Sequence, residues 1–193
     1  MLKIIVSVGI ALFISGCGSR FKEYDYLKEP KINTIPTQKM MVVEVKGDPK
    51  VTGGKAIKTM YNAFFQLKRS IKGLKMFALR ARWPKPLDTP KDEWIGIYGI
   101  PIPEEVNSLP KSSESQIKIE YWEYGTVAEI LHTGPYSQET PTIERLHQFI
   151  KDNGYKIVGS HEEEYLKGPG MFSMFNNPAK YKTIIRYSVE KVE

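Results

Sequence analysis

The chain has 193 residues, 41% hydrophobic and 26% charged, with a formal net charge of +6. That is enough material for one compact unit or two small halves sharing a core. The basic residues are scattered, with no run longer than Lys68-Arg69, which argues against the clustered stripe that nucleic-acid binding requires. The single cysteine, Cys17, excludes an internal disulfide.

In chain order, "MLKIIVSVGIALFISGC" comes first. A positive start at Lys3, an apolar run from Ile4 to Ile14 and small residues before Cys17 have the architecture of a secretory signal. The apolar run is about 11 residues, short of the roughly 20 that a membrane-spanning helix needs. "ISGC", Ile14 to Cys17, resembles the bacterial lipobox, which implies cleavage before Cys17 and lipidation of its thiol with acyl chains such as palmitate. Gly18 follows in place of the aspartate that retains lipoproteins in an inner membrane. The expectation is a signal peptide over 1–16 and a lipid-anchored domain in the cell envelope, at the outer membrane facing the periplasm. Residues 17–38 are polar and interrupted by Pro30 and Pro36, and are expected to form a tether.

The remaining chain, 39–191, reads as two similar halves. "MMVVEVKGDP" (40–49) and "VAEILHTGPY" (127–136) are β-rich runs that end in glycine turns. A helical pattern follows each. In the first, Ile57, Met60, Phe64, Leu67 and Ile71 recur at helical spacing; in the second, Ile143, Leu146 and Ile150 do. Thr140 suits the second helix's cap, Pro141 its first turn and Gly154 its end. Two strand-like runs close each half, "FALRARW" (77–83) with "EWIGIYGIPI" (93–102), and "KIVGSHEEEYL" (156–166) with "YKTIIRYSV" (181–189). The Ser-, Pro- and Glu-rich 104–116 reads as a linker between repeats 39–103 and 117–191. The fold class is α+β, a duplicated β-α-β-β unit whose antiparallel sheet carries two helices on one face.

The glutamates in "HEEEYL" are the candidate chemistry. Strand alternation puts His161, Glu163 and Tyr165 on one face and Glu162, Glu164 and Leu166 on the other. If the helices cover one face, the opposite face is free for a ligand. Glu163 beside Tyr165 there would be a carboxylate against an aromatic wall, which suits a cationic or apolar guest. Glu162 and Glu164 are expected to be surface charge. Trp94 with Tyr98, and Trp122 with Tyr124, are candidate walls of the same groove. The apolar Met171, Phe172, Met174 and Phe175 interrupt a polar loop and suit an adaptable lid or a membrane contact. The three histidines, 132, 147 and 161, have no metal-motif spacing.

The order of "LHTGPYSQ", a helix, "NGYKIVGSHEEEYLKGP" and "YKTIIRYSV" resembles the GyrI-like small-molecule-binding domain, of the SOUL/GyrI superfamily and the effector-binding-domain type. His132, Gly134, Pro135 and Tyr136 match its turn, and Glu163 and Tyr165 its Glu-x-Tyr. The resemblance implies a groove between the repeats with Glu163 contacting cationic or aromatic ligands. It implies ligand binding without a cofactor. Three alternatives remain open: a hydrolase in which Glu163 activates water, a haem or porphyrin binder of SOUL type, and a structural envelope protein whose groove is vestigial. Lipidation would place the domain away from the family's gyrase-inhibiting and transcriptional roles.

Overall fold

A computed structural model describes residues 21–86, 88–110, 117–169 and 177–193. The signal peptide, Cys17 and the Met- and Phe-rich loop at 171–175 lie outside the described residues. The strands are β1 (Lys31–Ile35), β2 (Gln38–Lys46), β3 (Leu79–Trp83), β4 (Ile95–Pro101), β5 (Ile117–Trp122), β6 (Gly125–Thr133), β7 (Tyr155–Ile157), β8 (His161–Lys167) and β9 (Lys182–Lys191). The helices are α1 (Pro49–Ser70) and α2 (Thr140–Asp152).

The sheet is antiparallel, in the order β1-β6-β9-β8-β3-β4-β2-β5, with β7 also on β9. Within it the duplication is explicit. Each half orders its strands alike, β3-β4-β2 in one and β8-β9-β6 in the other. The halves meet where β3 pairs with β8. The turns before the two helices both use a glycine at positive φ, Gly47 at 115° and Gly134 at 144°, a conformation that side chains disfavour.

Each half also takes its outermost strand from the other. β1, which precedes the first half, pairs with β6, and β5, which precedes the second, pairs with β2. Only Pro36 and Thr37 separate β1 from β2, a link of at most about 11 Å. In a flat sheet those strands, six places apart, would lie about 29 Å from each other. The sheet therefore curls, and its two faces differ: a convex face carries both helices and a concave face turns inward.

On the convex face α1 buries Ala56, Met60, Ala63, Phe64 and Leu67 against Met41, Val43, Ala81, Tyr98 and Ile100. Leu146 and Ile150 of α2 pack on Ala128, Ile130, Ile185 and Val189. On the concave face Met40, Val42, Trp122, Tyr124 and Val127 form one cluster, and Leu27, Leu131 and Ile184 another.

Several sequence expectations are corrected here. Residues 21–38 are not a tether. A 3-10 segment at Lys22–Lys28 buries Leu27 completely, and β1 hydrogen-bonds along β6. The prolines stand at the ends of β1, where no ladder bond is needed. Within 104–116, the described residues 104–110 lack regular structure, yet Val106 is buried and Lys39 Nζ donates to the Glu104 carbonyl at 2.7 Å. The run 156–166 is not one strand, because Val158–Ser160 break it into β7 and β8. Thr140 is the first residue of α2, and Glu139 holds the cap position.

Candidate functional site

The three glutamates of β8 point to different chemistry. Glu162 and Glu164 are not surface charge: they are buried on the concave face. The register sets Arg82 beside Glu162 and Arg80 beside Glu164 on one side, and Arg186 beside Glu162 on the other. Arg186 donates to Glu129, Glu162 and Glu164 at 2.6 to 3.1 Å. Arg80 meets Glu164 at 3.1 Å, and Arg82 meets Glu162 at 2.7 Å. Three arginines thus neutralise three carboxylates, as burial of charge requires. The Tyr124 hydroxyl donates to Glu162 at 3.0 Å and accepts from Arg80 at 2.7 Å.

Trp122 is corrected with them. It lies on this concave face, with the Arg82 guanidinium 4.0 Å above its ring. A cavity of about 480 Å³ opens nearby, lined by Arg82, Tyr124, Ser160, Glu162, Arg186 and Ser188. The central charges of that cavity already satisfy one another.

Glu163 takes the other face, the helix-bearing one rather than the one opposite the helices. Its register partners are Ala81 on β3 and Ile185 on β9. These belong to the α1 core and the α2 core respectively, so Glu163 stands on the seam between the two halves. Its side chain is 12% exposed, and His161 Nε2 lies 3.0 Å from Oε1. His161 Nδ1 is 2.7 Å from the Tyr187 hydroxyl. An ionised Glu163 can only accept, so Nε2 carries the proton that faces it, and in the neutral ring Nδ1 is then the acceptor for the Tyr187 hydroxyl. Among the described residues no lysine or arginine pairs with Glu163.

Aromatic rings line the seam. Tyr136 sits 5.6 Å from Tyr165 and 5.4 Å from Tyr181. Trp83 sits 5.8 Å from Tyr98 and 5.4 Å from Trp94. The structure therefore brings Glu163, Tyr165, Tyr98 and Trp94 together on one face and leaves out Trp122. Burial first, and the Glu163 carboxylate second, raise the Tyr98 hydroxyl to about 12 and lift those of Tyr136, Tyr165 and Tyr187 further. All four remain protonated donors at neutral pH. Burial lowers His132, whose Nδ1 is 2.9 Å from the Thr142 hydroxyl.

Glu139, Trp83 and Tyr187 complete the seam and were not among the sequence candidates. Glu139 is buried, and its carboxyl rises to about 8, first through burial and then through the charge of Glu163. Glu139 and Thr183 face each other, and beyond that contact Glu139 Oε1, Thr183 Oγ1 and Trp83 Nε1 are buried without a well-formed hydrogen bond. Unpaired polar atoms are costly in a finished core and appropriate where a guest supplies the partner. Only the tertiary pairing reveals these residues, since neither alternation nor helical spacing distinguishes them from core.

A duplicated α+β unit with a lone carboxylate on an aromatic seam is the arrangement of a small-molecule-binding domain. The chain belongs to the family of GyrI-like small-molecule-binding domains, whose model matches residues 28–188. Among solved structures it is similar to an uncharacterised conserved protein from Listeria innocua, with 24% identity, a TM-score of 0.74, and coverage of 89% of this chain and 98% of that one. It is also similar to a hydrolase encoded by lin2189 from Listeria innocua, with 22% identity, a TM-score of 0.72 and the same coverage, 89% and 98%. The C-terminal domain of EcmrR matches with 17% identity and a TM-score of 0.60, over 85% of this chain and 98% of that one. At these identities the likeness establishes the fold. No curated protein matches.

Proposed function

We propose that the protein binds an apolar, cationic small molecule on the seam between its two halves, with Glu163 supplying the charge and Tyr165, Tyr98 and Trp94 the walls. The observation that carries this reading is an ionisable carboxylate, surrounded by aromatic rings, that pairs with no lysine or arginine among the described residues and meets only the His161 imidazole as a basic group. A permanent organic cation satisfies both features at once, by charge and by cation–π attraction. Trp83 and Trp94 report on the seam, so cation titrations followed by tryptophan fluorescence should saturate. Glu163→Gln should weaken cation binding by ~2 kcal/mol or more, about thirtyfold, and leave a neutral apolar compound unaffected. Equal binding of the cation by both proteins would remove Glu163 from the site.

The resemblance of Ile14–Cys17 to a lipobox supports a lipid anchor at Cys17 and placement in the cell envelope. Metabolic labelling with a fatty acid tests it: the wild type should take up label and Cys17→Ala should not.

The His161–Glu163 contact of 3.0 Å favours hydrolysis as a second reading. Such a pair can take a proton from water. Turnover lost in Glu163→Gln with binding retained would establish it.

A further inference from the structure

The reading of Glu163 as a cation site leaves one buried acid without a role. Glu139 occupies the cap position of α2, yet its side chain makes no cap bond to the helix. An oxygen at this position ordinarily turns back to the free backbone N–H groups of the first turn. Here the carboxyl is buried instead, with Oε1 unpartnered.

Its surroundings identify the space it occupies. Glu139 interacts with Thr183 of β9. Thr183 is the register partner of Tyr165 and shares a strand face with Ile185, the partner of Glu163. Glu139 thus lies on the same convex seam as Glu163, a diagonal step away. The titratable groups around it are Glu163 and Tyr165 from β8, His132 from β6, and Tyr136 and Tyr181 from the flanking loops. Tyr61 on α1 and Tyr98 on β4 complete the ring around Tyr136 and Tyr165. None is a lysine or arginine.

Burial and the nearby charge of Glu163, with no lysine or arginine among these groups, favour the protonated form of the Glu139 carboxyl. Resting on the reading of Glu163 above, we propose that Glu139 is the second carboxyl of the binding site, holding a proton that it releases when a ligand carrying two positive charges enters. The site would then favour dications over monocations of like shape. A monocation is neutralised by Glu163 alone, whereas a second charge requires the carboxylate that Glu139 yields. The unpartnered Oε1 is where that second charge would dock. Burial first and the charge of Glu163 second lift the Glu139 carboxyl to about 8, so at neutral pH the proton is present to be released.

The test uses two permanent cations that carry no titratable proton of their own, benzyl viologen and benzyltrimethylammonium. Any proton released must come from the protein. Calorimetric titrations in two buffers of different ionisation enthalpy count it. The expected result is about one proton released per benzyl viologen at neutral pH in the wild type and none in Glu139→Gln. Affinity for the dication should rise about tenfold per pH unit up to pH about 8 and then level. The preference over the monocation should collapse in the variant. A ligand-free control follows the infrared band of the protonated carboxyl, which should disappear near pH 8 in the wild type and be missing from Glu139→Gln. Saturable dication binding without proton release, or a band that both proteins share, would overturn this inference and leave Glu163 in place. If neither cation binds saturably to the wild type, the cation-binding function fails and this inference with it.

Discussion

At the scale of single residues, adjacent glutamates on one strand take opposite environments. Glu162 and Glu164 are held by arginines, while Glu163 meets a histidine and tyrosines and no lysine or arginine among the described residues. The difference follows from alternation, which sends neighbours to opposite faces, and from what each face contains. Glu139 adds a pH dependence. Its carboxyl is raised from 4.5 to about 8 in the fold. The raised value means that the folded state keeps a proton the unfolded chain has lost. Its contribution to stability is therefore full below pH 4.5 and is lost as the pH rises through about 8. Over that window the wild type should lose up to about 1.4 kcal/mol per pH unit relative to Glu139→Gln. Urea unfolding at a series of pH values checks this, and parallel curves for the two proteins would refute it.

At the scale of elements, β3 and β8 are the paired centre of the sheet, and their inward charges are complementary. Arg80 and Arg82 come from one half and Glu162 and Glu164 from the other. Arg186 of β9 binds three carboxylates, Glu162 and Glu164 from β8 on one side and Glu129 from β6 on the other. Arg186→Met would leave those carboxylates short of a cation and should cost ~3–5 kcal/mol in a urea titration. A loss under ~1 kcal/mol would mean that water or local relaxation replaces the guanidinium. The break between β7 and β8 has its own cause. A Cβ on Gly159 would stand 2.9 Å from Ser188 Cβ, so the chain passes β9 closely only as glycine. Glycine in "KIVGSHEEEYL" was the available sign of a break, and a continuous strand does not honour it. Phase is nonetheless correct beyond the break, because His161, Glu163 and Tyr165 restart a regular strand.

At the scale of the whole molecule, the curl of the sheet makes the segment before β2 indispensable. Without residues 21–38, β6 loses its edge partner, and Leu131 and Ile184 lose the cover of Leu27. A chain beginning at residue 39 should therefore unfold at lower urea concentration than one beginning at residue 21, or aggregate through the bare β6 edge. Equal stability of the two would show that β1 is dispensable.

The duplicated α+β plan, the two helices and the alternation that separates Glu163 from Glu162 and Glu164 were determined by the sequence itself. Each rests on local rules: a period of 3.6 or 2, a glycine turn, the alternation of side chains along a strand. Which face served which purpose was decided only in three dimensions. Trp122 has the composition of a ligand wall, but the β5–β2 pairing turns it inward over Arg82. Residues 21–38 have the composition of a tether, yet β1 completes the far half of the sheet. Glu139 reads as an ordinary residue at a helix start until β8 and β9 bring Glu163 and Thr183 beside it. These outcomes depend on contacts between segments distant in sequence, and no periodicity within one segment encodes its partner.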